Sequence, residues 1–146
     1  PRYDGQTLAG GWAEGRLVGG SLTICVASLG TAWEIDTRDS ILMLEEVTEP
    51  PYRIDRMLQQ LRAAGKFEQV AGVALGGFSD CEDERYPEWT MARIFDETFG
   101  SLGLPVVAEL PFGHGALNRP WPFAGRAALD GARGELGILE SAVTTR

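Results

Sequence analysis

Ile41-Leu42-Met43-Leu44-Glu45-Glu46 is an unbroken apolar run that stops on two carboxylates, and after seven intervening residues Ile54-Asp55-Arg56-Met57-Leu58-Gln59-Gln60-Leu61 repeats at helical spacing. A short run with no polar alternation suits a strand covered on both faces, as in a parallel sheet. Thr48-Glu49-Pro50-Pro51 is a helix start signal, since proline lacks an N–H that the first helical turn would leave unpaired anyway. Ile54, Met57, Leu58 and Leu61 form the apolar stripe, and Gly65 ends the helix. Val70 to Leu75 is then a second buried strand, closed by Gly76-Gly77. Strand, helix, strand in this order predicts an α/β domain with a parallel sheet.

The same pattern continues outward. An acidic loop, Ser79 to Glu88, precedes a helix expected from about Pro87 to Phe99, with Met91, Ile94, Phe95 and Phe99 inward. Leu104 to Leu110 reads as a third strand. Before the first strand, Leu22, Cys25, Val26 and Leu29 share one helical face, with Ser21 as N-cap and Gly30 at the C-terminal end. Glu14 to Val18 reads as a short strand, and residues 1–14 as a linker or loose end. At the other terminus, Ala124 to Leu129 and Glu135 to Val143 flank Asp130-Gly131-Ala132-Arg133-Gly134, which predicts an antiparallel hairpin. The expected architecture is a parallel central sheet with helices plus a C-terminal β-hairpin layer.

At 146 residues the chain suits one domain that buries roughly 70% of its unfolded surface. Thirteen basic and 21 acidic residues give a net charge of −8, which repels phosphate backbones and argues against a nucleic-acid partner. No apolar run approaches the roughly 20 residues needed to span a membrane, and no signal peptide is visible. The chain opens at Pro1 without Met, which suggests a trimmed or fragmentary chain. Cys25 and Cys81 are far apart in sequence and outside any CxxC; with a single histidine, they make a metal site improbable and are expected as free thiols, Cys25 buried.

Motifs for phosphate loops, dinucleotide binding, zinc peptidases and the nucleophile elbow are all missing. Position is more informative. Ligands of open α/β sheets gather at the carboxyl ends of the strands. One expected strand ends at Glu45-Glu46, another at Gly76-Gly77-Phe78-Ser79-Asp80, and a third at Pro111-Phe112-Gly113-His114-Gly115. A carboxylate and the only histidine therefore share one edge. A carboxylate that accepts from an imidazole fixes its tautomer and stabilises the imidazolium. The plainer alternative makes Glu45 a helix cap and His114 an ordinary loop residue. Ser79 reads as a serine in a solvated loop, because an elbow needs an immediate helix behind it.

Several blocks together carry a family resemblance: Gly15-Arg16-Leu17-Val18-Gly19-Gly20-Ser21-Leu22-Thr23 with Gly30-Thr31; Ile41 to Val47 with Glu49 and Pro51-Tyr52-Arg53-Ile54-Asp55-Arg56-Met57-Leu58; Leu75-Gly76-Gly77-Phe78; and Pro111-Phe112-Gly113-His114. Over roughly Gly15 to Gly131 the chain resembles the C-terminal domain of the LD-carboxypeptidases, or muramoyltetrapeptide carboxypeptidases, a family that also includes microcin-immunity peptidases. The resemblance implies a swivelling β/β/α domain over 15–146. It implies a serine peptidase with a Ser-Glu-His triad that cuts an L,D bond to release the terminal D-Ala of murein tetrapeptide, in peptidoglycan recycling, in the cytoplasm and without metal or cofactor. Glu45 and His114 fall at the catalytic Glu and His. The nucleophile lies in an N-terminal domain, absent here, so the implied partners are that domain of the same polypeptide and a murein peptide. Family members are often dimers, which adds a homodimer. Ser21 departs from the family's usual asparagine; both residues cap helices. A binding module without chemistry is the competing class. A lost partner domain should leave an apolar patch near Glu45 and His114, for which Trp12, Trp33, Phe112 and Trp121 are candidates.

Overall fold

The computed structural model describes residues 1–140. The apolar run is strand β4, Ser40–Val47, and it lies in the middle of the sheet. On one side it pairs in parallel with β3, Trp12–Ser21, and on the other with β5, Gly72–Ser79, which in turn pairs in parallel with β6, Val106–Ala108. The absence of alternation in 41–44 has the expected cause, burial on both faces. Leu42 and Leu44 pack beneath three helices: α1, Leu22–Ala27; α2, Pro51–Ala63; and α3, Met91–Phe99. Ile41 and Met43 point the other way, into a second core with Leu17, Ala74, Val107, Leu129 and Leu136.

That second core exists because the sheet curls. The hairpin strands β7, Arg126–Asp130, and β8, Glu135–Ile138, extend the same sheet antiparallel from β3. Their inner residues Ala127, Leu129 and Leu136 face the parallel strands across the core. The expected hairpin layer is thus the far side of one curled sheet. Its hinge residue Asp130 accepts from the backbone N–H groups of Ala132 and Arg133, and Gly134 takes φ +68°. Strand β8 stops at Ile138, short of the expected Val143, and residues 141–143 lie outside the described residues.

The N-terminal segment corrects the expectation of a linker over residues 1–14. Arg2–Asp4 is strand β1 and Gln6–Ala9 is strand β2, while β3 already starts at Trp12. The strand order is β1-β8-β7-β3-β4-β5-β6-β2, so β1 and β2 form opposite edges although only Gly5 separates them. This segment therefore joins the two edges of the curled sheet. Gly5 donates its N–H to the Gly134 carbonyl at 2.8 Å, and a Cβ there would sit 2.3 Å from the Ala108 carbonyl oxygen. Only Tyr3 of these two strands is buried, so no alternation was there to be read. Three other elements are shorter than expected. Helix α1 ends at Ala27 and is capped by Ser28, two residues before Gly30. Helix α3 starts at Met91, where Thr90 caps it by accepting from the Arg93 N–H. Strand β6 is confined between Pro105, which has no N–H to donate, and Glu109, whose φ is +55°. Both cysteines are free and buried. Burial, with Glu45 and Glu46 nearby, pushes the Cys25 thiol up to about 11.

Candidate active site

Two adjacent carboxylates reach the end of β4 and, by strand alternation, leave it on opposite faces. Glu46 turns toward the helices. Its carboxylate accepts from the Thr23 N–H in the first turn of α1 at 2.8 Å and from the Val47 N–H at 3.0 Å. Glu45 leaves on the side of the inner core and is 7% exposed. Its Oε2 lies 2.8 Å from Nδ1 of His114.

His114 is brought there by a loop, residues 109–125, that returns from β6 to β7. The loop is seated at a register shift between β4 and β5: Leu44 faces Leu75 and Glu46 faces Phe78, so β5 carries one extra residue at Gly76-Gly77. Phe112 lies against these two glycines. Its carbonyl accepts from the Gly77 N–H at 2.9 Å, and a Cβ on Gly76 would sit 2.5 Å from that same oxygen. The base of the loop is further fixed by Arg119 N–H to the Pro111 carbonyl and by the Tyr3 hydroxyl to the Pro120 carbonyl. The histidine ring remains largely open, with 59% of its side chain exposed. The hydrogen bond that His114 donates to Glu45, and then the Glu45 charge, raise the His114 pKa above the ordinary imidazole value.

The structure therefore joins the two residues that the sequence singled out. Ser79 Oγ lies near Gly77 and Gly115, and no hydrogen bond joins it to His114. Among the four aromatic candidates for an exposed patch, Phe112 is buried and Trp121 half-buried, packed edge-on to it at 6.2 Å. Trp12 is exposed but pairs with Asp130 at the opposite end of β3, and Trp33 is exposed in the α1–β4 connection. Phe123, against Trp121, and Leu117 are exposed instead. A groove of about 480 Å³, lined in part by Leu8, Phe78, Phe112 and Leu117, runs beside the histidine loop. Sequence reasoning missed the seat formed by Gly76 and Gly77; the doubled glycine at a strand end was its only signal.

Among the described residues, no group of His, Cys, Asp and Glu could hold a metal ion, and no helix is long and apolar enough to cross a membrane. An imidazole with one nitrogen on a buried carboxylate and the other unpartnered can move protons for acyl transfer, as in the general-base half of a nucleophilic hydrolase. The comparisons give this class a family. The chain belongs to the LD-carboxypeptidase family, whose C-terminal-domain model matches residues 14–129. A Synechocystis protein with a provisional carboxypeptidase name is 50% identical over 92% of the chain and 45% of its own length. The murein tetrapeptide carboxypeptidase of Pseudomonas aeruginosa is 40% identical over 82% of the chain and 39% of its own length. The crystal structure of muramoyltetrapeptide carboxypeptidase from Oxalobacter formigenes superposes with a TM-score of 0.86 at 32% identity, covering 98% of this chain and 50% of that one. The chain thus spans less than half the length of these curated relatives.

Proposed function

We propose that this domain supplies Glu45 and His114 to a Ser-Glu-His triad in a serine-type LD-carboxypeptidase, which releases the terminal D-Ala from murein tetrapeptide in the cytoplasm. The serine belongs to an N-terminal domain of the same polypeptide. The observation that carries this reading is the 2.8 Å contact between His114 Nδ1 and the buried Glu45 carboxylate beneath an open imidazole ring. With Nδ1–H held by Glu45, Nε2 is the basic nitrogen. It takes the proton of the attacking hydroxyl as the tetrahedral intermediate forms, then returns it to the departing D-Ala amine. Glu45 holds the tautomer and stabilises the imidazolium between the two transfers. Exposed Leu117 and Phe123, and the groove beside Phe112, are surfaces that a nucleophile domain would cover.

The test is release of D-Ala from murein tetrapeptide by the parent protein, by its His114→Ala variant and by this chain alone. The parent is expected to turn over. His114→Ala is expected to lose on the order of 10⁴-fold or more, and the chain alone to be inactive, since an incomplete triad loses most of its rate. Near-normal turnover by His114→Ala would end the reading. A parent that cleaves only an acyl-sulfamoyl nucleoside, and no murein peptide, would move it to the microcin-immunity branch.

A further inference from the structure

Two glycines flank His114, and the structure treats them differently. Gly113 has φ +102°, a backbone conformation that L side chains rarely adopt. A Cβ on it would lie 2.8 Å from Glu45 Oε2, 2.9 Å from Glu45 Cβ and 3.1 Å from Glu45 Cγ. The first of these atoms is the oxygen that His114 Nδ1 meets at 2.8 Å. Gly115 has no positive φ, and its Cβ would touch only Ser79 Oγ, at an ordinary 3.8 Å. One glycine is packed on the carboxylate and the other is not.

We propose that Gly113 is a positioning residue: its bare backbone packs against the Glu45 side chain, and this contact sets the distance between Glu45 and His114. The neighbouring contacts explain why the strain of a side chain could not be relieved elsewhere. Phe112, one residue earlier, is held by the Gly77 N–H and closely packed on Gly76, so the segment cannot slide along β5. A methyl group at 113 must therefore push the carboxylate aside or lift the histidine. Either movement lengthens the same contact. Its effect on turnover rests on the triad reading above; its effect on the pairing does not.

The chain has one histidine, so a single set of imidazole resonances reports on the pair. The experiment titrates His114 by NMR in the 146-residue chain for wild type, Gly113→Ala, Gly115→Ala, Glu45→Gln and the Glu45→Gln/Gly113→Ala double variant. Circular dichroism checks each fold. Wild type and Gly115→Ala are expected to share a raised value. Gly113→Ala and Glu45→Gln are expected to fall back to the ordinary imidazole value of about 6.5, with no further fall in the double variant. Gly113→Asn, whose side chain tolerates left-handed backbone better, should fall in the same way and serves if the alanine variant does not fold. In the parent enzyme Gly113→Ala should lower kcat on the order of 10²-fold with little change in KM. A raised value retained by Gly113→Ala while Glu45→Gln falls would overturn the proposal. No fall in either variant would instead remove the pairing on which the triad reading stands.

Discussion

Glu45 and Glu46 are neighbours in one strand, and at 7% and 5% exposure they are equally buried, yet their partners differ in kind. Glu46 is satisfied by two backbone N–H groups, one of them in the first turn of α1. Such a carboxylate ties a helix to a strand. Glu45 has one partner, the exposed ring of His114. It fixes no element of secondary structure, and its buried charge is directed at a group that faces solvent. Burial alone does not separate the two carboxylates. The partner does: backbone on the helix side, a titratable side chain on the side of the inner core.

Substitutions at the two positions should break the symmetry in opposite directions. The largest effect belongs to Glu45→Gln in the parent enzyme. The amide keeps the shape and loses the charge, so turnover should fall on the order of 10⁴-fold while the thermal midpoint of the chain moves little. A loss below about tenfold would make Glu45 an ordinary buried residue. Next comes Glu46→Ala, which leaves the Thr23 and Val47 N–H groups without their acceptor. It should cost about 1–3 kcal/mol in urea denaturation of the 146-residue chain. His114 should keep its raised pKa in that variant if the two carboxylates have separate tasks. A fall at His114 as large as that of Glu45→Gln would show that they act together.

The central strands and their helices were legible because their signals are local. The apolar run of β4, the proline start of α2 and the stripe through Ile54, Leu58 and Leu61 each lie within a few residues. The Glu45–His114 pair was legible by position and resemblance, since both residues follow strands that end at the same edge. Three features were not legible. The edge strands β1 and β2 carry almost no burial pattern, because β1 buries only Tyr3 and β2 buries no residue on either face. The curl that turns the hairpin over the parallel strands is a long-range property; it shows only in packing such as the one core that Leu129 shares with Met43. The asymmetry between Gly113 and Gly115 depends on a carboxylate 68 residues away from Gly113 and has no local signature at all.

The smallest expected effect sharpens the comparison through pH. The Glu45 hydrogen bond and charge raise the folded-state pKa of His114, so above about pH 6.5 the folded chain holds a proton that the unfolded chain has begun to release. Stability from the pair is therefore fully present below about pH 6.5 and is lost as pH rises through the raised folded value. Because most of the imidazole is exposed, solvent screens the pair and the effect is small. Denaturation of wild type and Glu45→Gln from about pH 6 to 9 should show the wild-type advantage shrinking with pH. On the proposed triad the same shift acts on turnover with the other sign, since the base form of His114 would be the one that accepts a proton. The acid limb of kcat/KM in the parent should lie above about pH 6.5 and should move down in Glu45→Gln, whatever residual rate remains. A stability difference independent of pH, together with an unmoved acid limb, would mean that the 2.8 Å contact carries no charge coupling in solution, and Glu45 would then be structural in the same sense as Glu46.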